Sequence, residues 1–157
     1  MSECKCNKCR EACEVNPGWF TPDQIATVAE HMSMTEKELF DKFLAVNWWE
    51  TDREWGNDHD IFVIAPALSG ESPGDMYPSD PRGKCVFYQD GLCGIHPVKP
   101  FECEQFIHGE PFDTVHKRHY GVAVQWEDHK EYIELLLGKE PFAKEFYGGG
   151  LLGFLGW

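Results

Sequence analysis

The sequence predicts an α+β fold, mostly helical, in a single small domain with one short β-hairpin and a Cys-rich metal centre that nucleates it. Three observations carry this. Two helix-capping signals precede apolar residues at helical spacing, an Asp90-Gly91 pair separates two apolar runs, and seven cysteines fall into two groups. A chain of 157 residues fits one domain, here 1–157. Its 42% hydrophobic and 14% aromatic content is enough to bury a core, which argues against disorder.

Residues 1–16 have little apolar periodicity, so core packing cannot hold them, and a metal would supply the anchor. After a turn at Asn16-Pro17-Gly18-Trp19-Phe20, Thr21-Pro22-Asp23-Gln24 reads as N-cap, Pro at the first helical position and Gln three residues after the cap. A helix over about 22–31 is expected. Ser33-Met34-Thr35-Glu36 repeats the capping pattern, and Leu39, Phe40, Phe43 and Leu44 mark the buried face of a second helix that ends near Ala45 and packs on the first. Residues 47–60 are acidic and aromatic, and Ile61 to Leu68 is a continuous apolar run, a buried strand. The Gly and Pro density from Ser69 to Gly83 predicts a long surface loop. Cys85 to Gln89 and Leu92 to His96 form the hairpin, and Asp113 to Gly138 reads as a helical hairpin or one long helix, weakened by Gly121, Val122 and Val124. The apolar tail Gly148 to Trp157 is too short to span a bilayer and is expected to dock on the domain or on a partner.

The cysteines give the clearest chemical signal. Cys4, Cys6, Cys9 and Cys13 lie within ten residues, and Cys85, Cys93 and Cys103 form a second group over nineteen. Core-filling thiols would scatter among apolar positions; these sit among Gly, Pro, Lys and Glu. Spacings of two and three residues let a loop turn several sulfurs toward one centre, and soft thiolates select zinc, cuprous copper or iron–sulfur. Lys5, Lys8 and Arg10 offset thiolate charge, which a disulfide does not require. Two groups far apart in sequence make the metal a cross-link between the N-terminus and the hairpin.

Parity constrains the hairpin. A two-residue Asp90-Gly91 loop would oppose Cys85 to His96 and Cys93 to Tyr88, with the two sulfurs on opposite faces. A three-residue Gln89-Asp90-Gly91 loop with a bulge at Gly91 pairs Phe87 with Cys93 and Cys85 with Ile95 on one face, and is therefore expected. Pro100 suits the first position of a short helix running to about Ile107, with Cys103 in its first turn, where partial positive charge favours thiolate. Phe101 and Phe106 read as packing residues.

These residues resemble a known family. Cys6-x2-Cys9-x3-Cys13, with Gly83-Lys84-Cys85-Val86-Phe87-Tyr88 and Gly91-Leu92-Cys93-Gly94-Ile95-His96-Pro97-Val98-Lys99-Pro100-Phe101-Glu102-Cys103, is similar to the YkgJ family of cysteine-cluster proteins, described as a zinc- or iron-chelating domain. The similarity covers residues 4–20 and 83–108. This chain has Ala12-Cys13 for the usual doubled cysteine, Lys99-Pro100 for the usual Arg-Pro, and Glu104 where an Arg commonly follows the last cysteine. The extra Cys4 stands in for the missing member. The resemblance implies metal binding without a settled reaction.

The expected ligands are Cys4, Cys6, Cys9, Cys13, Cys85, Cys93 and Cys103, with His96 as the best outside ligand, and the expected cofactor is zinc or an iron–sulfur (4Fe–4S) cluster. Two four-coordinate zinc ions need eight ligands, which seven cysteines and His96 would supply; one cubane needs four thiolates and leaves three cysteines over. His108, His116 and His119 read as solvated or capping side chains, although His116 and His119 share a helical face. His31, His59 and His129 give no signal. The acidic residues Glu50, Asp52, Asp58 and Asp60 read as a solvated face, not a catalytic pair. No phosphate-cradling Gly loop or hydrolase Ser elbow occurs. A formal charge of -13 excludes a general nucleic-acid binder, and the absence of a long apolar run or an apolar leader predicts a cytoplasmic protein without a membrane partner. Three functions compete at this stage. The first is a metal-binding module whose centre stabilises the fold. The second is a metalloenzyme or redox protein whose open cluster position is lined by Trp48-Trp49 and the Ser69–Gly83 loop. The third is a protein that docks a partner through its acidic face and apolar tail.

Overall fold

The computed structural model describes residues 17–50, 59–71, 73–78, 82–105 and 110–142. The expected apolar strand forms as β2 (Ile61–Pro66) and pairs antiparallel with β1 (Leu44–Trp49), from Leu44 opposite Pro66 to Trp49 opposite Ile61. Every residue of β1 is buried, so both faces of this hairpin are core. Residues 47–49, the start of the stretch read as acidic and aromatic, complete β1, and Trp48 and Trp49 are buried in it. β-branched and aromatic side chains prefer such a pleated, covered surface, and burial outweighs the neighbouring acidic residues.

Each outer edge of the hairpin is covered by irregular backbone. On the β1 side, Val46 N–H donates to Asp75 O at 2.9 Å and Tyr77 N–H to Val46 O at 2.8 Å. On the β2 side, Phe20 N–H donates to Ile64 O at 3.1 Å. The Ser69–Gly83 stretch is therefore not only a surface loop, since Met76 and Tyr77 are fully buried against β1. Its Gly and Pro content does exclude regular structure among its described residues, but the backbone donors of a strand edge still capture it.

Helices close the two faces. α1 (Gln24–His31) and α2 (Glu36–Phe43) pack as the expected pair, α2 also lying against β1. The cap of α2 is Thr35, whose hydroxyl accepts from Glu38 N–H at 3.1 Å, and not Ser33, which takes a positive φ of 55° to leave α1. α2 stops at Phe43 because the chain turns directly into β1. A single turn, α3 (Phe101–Gln105), follows the Pro-rich stretch. The C-terminal region is two helices, α4 (Phe112–Gln125) and α5 (Lys130–Leu137), joined by a 3-10 turn at Glu127–His129. Gly121 is tolerated because it lies on the exposed face of α4 while Val122 packs inward, fully buried.

The small hairpin is β3 (Tyr88–Gln89) and β4 (Leu92–Cys93), with Tyr88 opposite Cys93 and Gln89 opposite Leu92. The expected three-residue loop is overturned. Asp90 (φ 51°) and Gly91 (φ 78°) both take the left-handed conformation, the signature of a two-residue turn that matches strand twist.

The Trp126 indole N–H donates to Phe20 O at 2.8 Å, fastening the β2-edge segment to the end of α4. Trp126→Phe removes that donor from a buried carbonyl and should cost about 2 kcal/mol, read as a lower midpoint in urea unfolding. An unchanged midpoint would show that this tie does not contribute.

Candidate metal centre

Cys4, Cys6, Cys9 and Cys13 lie outside the described residues, as do Asp52, Asp58, Phe106, His108 and the tail Gly148 to Trp157. The second group is placed. Cys85, Cys93 and Cys103 are thiols, Cys85 buried and the other two partly so. Cys85 does not extend β3: Tyr88 N–H donates to Cys85 O at 3.0 Å in a turn, and Cys85 forms an antiparallel bridge to Leu68 at the exit of β2. Strand parity therefore stops at Tyr88, and the hairpin does not set Cys85 and Cys93 on one face.

Tyr77 has two of the thiols as electrostatic neighbours. Its phenol O–H donates to Pro66 O, and burial pushes its ionisation well above the ordinary tyrosine range, with Cys85 and then Cys103 adding to the shift. Cys85 and Cys103, eighteen positions apart in sequence, thus share the electrostatic neighbourhood of one buried phenol. Cys93 has different surroundings. Burial raises its pKa, while a hydrogen bond from the Ile95 backbone amide and the charge of Lys99 act in the opposite direction.

Cys103 lies in the single turn α3, as expected, and its placement depends on neighbours. Gln24 joins α1 to α3: its side-chain oxygen accepts from Thr21 N–H and Phe101 N–H, both at 2.9 Å, and its amide donates to Lys99 O at 3.2 Å. The Gln expected three residues after the α1 cap thus also caps α3, while the helix itself begins at Gln24 after Asp23, not at Pro22 after a Thr21 cap. Gly18 meets the other side. A Cβ there would lie 2.9 Å from Cys103 Sγ and 2.9 Å from Glu102 Cβ, so only glycine lets the incoming chain lie against this turn.

Glu102 is a site residue that sequence reasoning missed. Buried at 3% exposure, it accepts Trp19 N–H on Oε1 at 2.7 Å, and its Oε2 hydrogen-bonds His119 Nδ1. The His119 ring stacks on Trp19 with centroids 3.4 Å apart, and His116 packs on Trp49 at 4.8 Å. Both histidines, expected at the surface or in a capping role, are 5% exposed. Their three-residue spacing on one face of α4 was the available signal, and the aromatic partners from β1 and the Trp19 turn bury that face.

His96 begins a 3-10 turn (His96–Val98), and its Nε2 is buried without a hydrogen-bond partner among the described residues. Among the described residues no three His, Cys, Asp or Glu side chains converge as a metal cage. The placed donors are nevertheless of the type a thiophilic ion takes: three thiols and one imidazole nitrogen lacking a polar contact. A cavity lined by His59, Asp60, Phe62, Trp126, Glu127 and Lys130 includes none of the cysteines. Trp48 and Trp49 are core residues of β1, 0% and 2% exposed. No helix among the described residues is long and apolar enough to cross a membrane. No family model, curated protein or solved structure matches the chain.

Two outcomes follow from the polar groups placed here. Glu102→Ala removes the partner of two buried nitrogens and should cost about 3 kcal/mol, whereas Glu102→Gln, which can still accept Trp19 N–H, should cost less; equal, small losses in urea unfolding would contradict this account. At the mouth of the β1–β2 hairpin, burial raises the Glu50 pKa and Asp60 adds to it. The folded state thus disfavours the Glu50 carboxylate, so the stability it contributes is greatest in acid and falls as pH rises through the carboxylate range. Glu50→Gln should be more stable than wild type at neutral pH, with the gain vanishing below about pH 4. A gain that persists in acid would argue against this origin.

Proposed function

We propose that this protein is a thiolate metal-binding module of the cytoplasm, in which Cys4, Cys6, Cys9 and Cys13 join Cys85, Cys93, Cys103 and His96 to hold zinc or a 4Fe–4S cluster and so fasten the N-terminus to the fold. The observation that carries this reading is the contact of Gly18 with Cys103. Cys13 is five residues upstream of Gly18, a reach of at most about 17 Å, so the chain is long enough for Cys13, the last of the first group, to meet a sulfur of the second. Cys85 and Cys103 both act electrostatically on the buried Tyr77 phenol, which is compatible with this reading.

The donor chemistry agrees. Paired thiolates without a counter-ion would repel one another in a half-buried site, and a soft cation relieves this by direct coordination. The similarity of these motif residues to the YkgJ cysteine-cluster family points the same way. A metal held jointly by both cysteine groups would add its binding free energy to that of the fold.

The test is elemental analysis with ultraviolet–visible spectra on protein purified without oxygen. The expected result is stoichiometric metal, either colourless zinc protein or a broad visible absorption accompanied by iron and sulfide. Chelation should lower the unfolding midpoint. Protein that purifies without metal and binds none on addition of zinc or iron with sulfide would refute the reading.

A further inference from the structure

We infer that the cavity between the start of β2 and the end of α4 is a binding site for a small organic ammonium ion, a free primary amine on a short apolar body.

The cavity has a volume of about 190 Å³, room for several water-sized groups. Its walls come from two stretches distant in sequence: His59 to Phe62 at the entry to β2, and Trp126, Glu127 and Lys130 where α4 passes into α5. Its lining holds no cysteine, so a ligand here is independent of the metal-binding reading.

The floor is apolar. Ile61 and Trp126 are 3% and 1% exposed, and Phe62 is partly buried. The Trp126 indole N–H is committed to Phe20 O at 2.8 Å, so the ring offers the cavity carbon and π surface and no donor. Such a floor favours a hydrocarbon body over a fully hydrated ion, and an indole face also attracts a cation.

The rim sets the charge. Asp60 and Glu127 contribute two carboxylates, and Glu50 lies near enough to Asp60 for its carboxyl to be pushed up by that neighbour, in addition to burial. The basic groups of the rim are His59 and Lys130. Both are already turned to carboxylates, His59 Nε2 to Glu127 Oε1 at 3.0 Å and Lys130 Nζ to Glu140 Oε1 at 3.4 Å. Four acids thus surround one permanent cation and one histidine, in a chain of formal charge -13. The excess negative charge attracts a cation and repels a phosphate or carboxylate. A bare metal ion does not fit, because no three His, Cys, Asp or Glu side chains converge as a metal cage among the described residues. An ammonium group fits: its three donors suit the rim carboxylates while its apolar body covers Trp126 and Phe62.

The test is a ligand-observed NMR titration of the full-length protein with benzylammonium, benzyl alcohol and benzoate, three probes of similar size and different charge. Benzylammonium should bind, with the alcohol and benzoate about tenfold weaker. Glu127→Gln and Asp60→Asn should each weaken benzylammonium about fivefold. The Glu127 side chain is 40% exposed, so Glu127→Gln leaves the core untouched and its loss of binding is not a loss of fold. Equal affinity for the three probes, a preference for benzoate, unchanged affinity in both variants, or no binding at millimolar concentration would overturn the site. Nα-acetyl-lysine amide carries the same ammonium on a protein-like stem; binding tighter than that of butylammonium would assign the site to a partner's lysine and overturn the free amine.

Discussion

A buried carboxyl group, that of Glu102, joins three stretches of chain that the sequence keeps apart. It accepts the Trp19 amide from the N-terminal turn, binds the His119 ring from α4, and belongs to the short helix that carries Cys103. Such a group is costly to bury alone and is retained only where its partners are in place, so it enforces one arrangement of those stretches over others. The stacking of His119 on Trp19 and the packing of Trp49 against both histidines of α4 depend on that arrangement. Gln24 plays a parallel part from the other side, holding the start of α3 to α1 with two hydrogen bonds, to Lys99 O and from Phe101 N–H.

The chemistry of the cysteines is framed by these polar supports. A five-residue helix has little stability of its own, since nucleation costs more than one turn returns. α3 therefore holds Cys103 in place through Gln24, Glu102 and the close approach of Gly18, not through intrinsic propensity. The same holds for Cys85, which sits where the loop backbone bridges to Leu68 beside the fixed Tyr77 phenol.

Local signals in the sequence were legible where a residue type has one dominant use. The Gln24 bond back to Thr21 N–H, the apolar stripe of α2, the run forming β2, the Asp90-Gly91 turn and the position of Cys103 all follow from caps, periodicity and turn chemistry. The failures share a cause, which is that tertiary neighbours decided. Asn47 to Trp49 became strand because β2 lay ready to pair, and Met76 and Tyr77 were drawn from a Gly- and Pro-rich stretch onto the β1 edge. Glu102, His116 and His119 look like surface residues until aromatic groups from distant segments enclose them. The loop length at Asp90-Gly91 was inferred from the demand that two sulfurs share a face, and the turn's own preference for positive φ prevailed. The cysteine grouping itself was visible by spacing alone, but the relation of Cys85 and Cys103 to the buried Tyr77, a residue no motif contains, was not.

The coverage of the central hairpin has a consequence for how the protein avoids self-association. Both edges of β1–β2 are masked by irregular chain, and the mask over β2 is the segment that begins directly after the first cysteine group. An apolar strand such as Ile61–Pro66 with its outward carbonyl uncovered is a template for intermolecular pairing. Whatever keeps Trp19 and Phe20 seated therefore also guards against aggregation, and the apolar core of this acidic protein is shielded at its most vulnerable strand by its own N-terminal entrance.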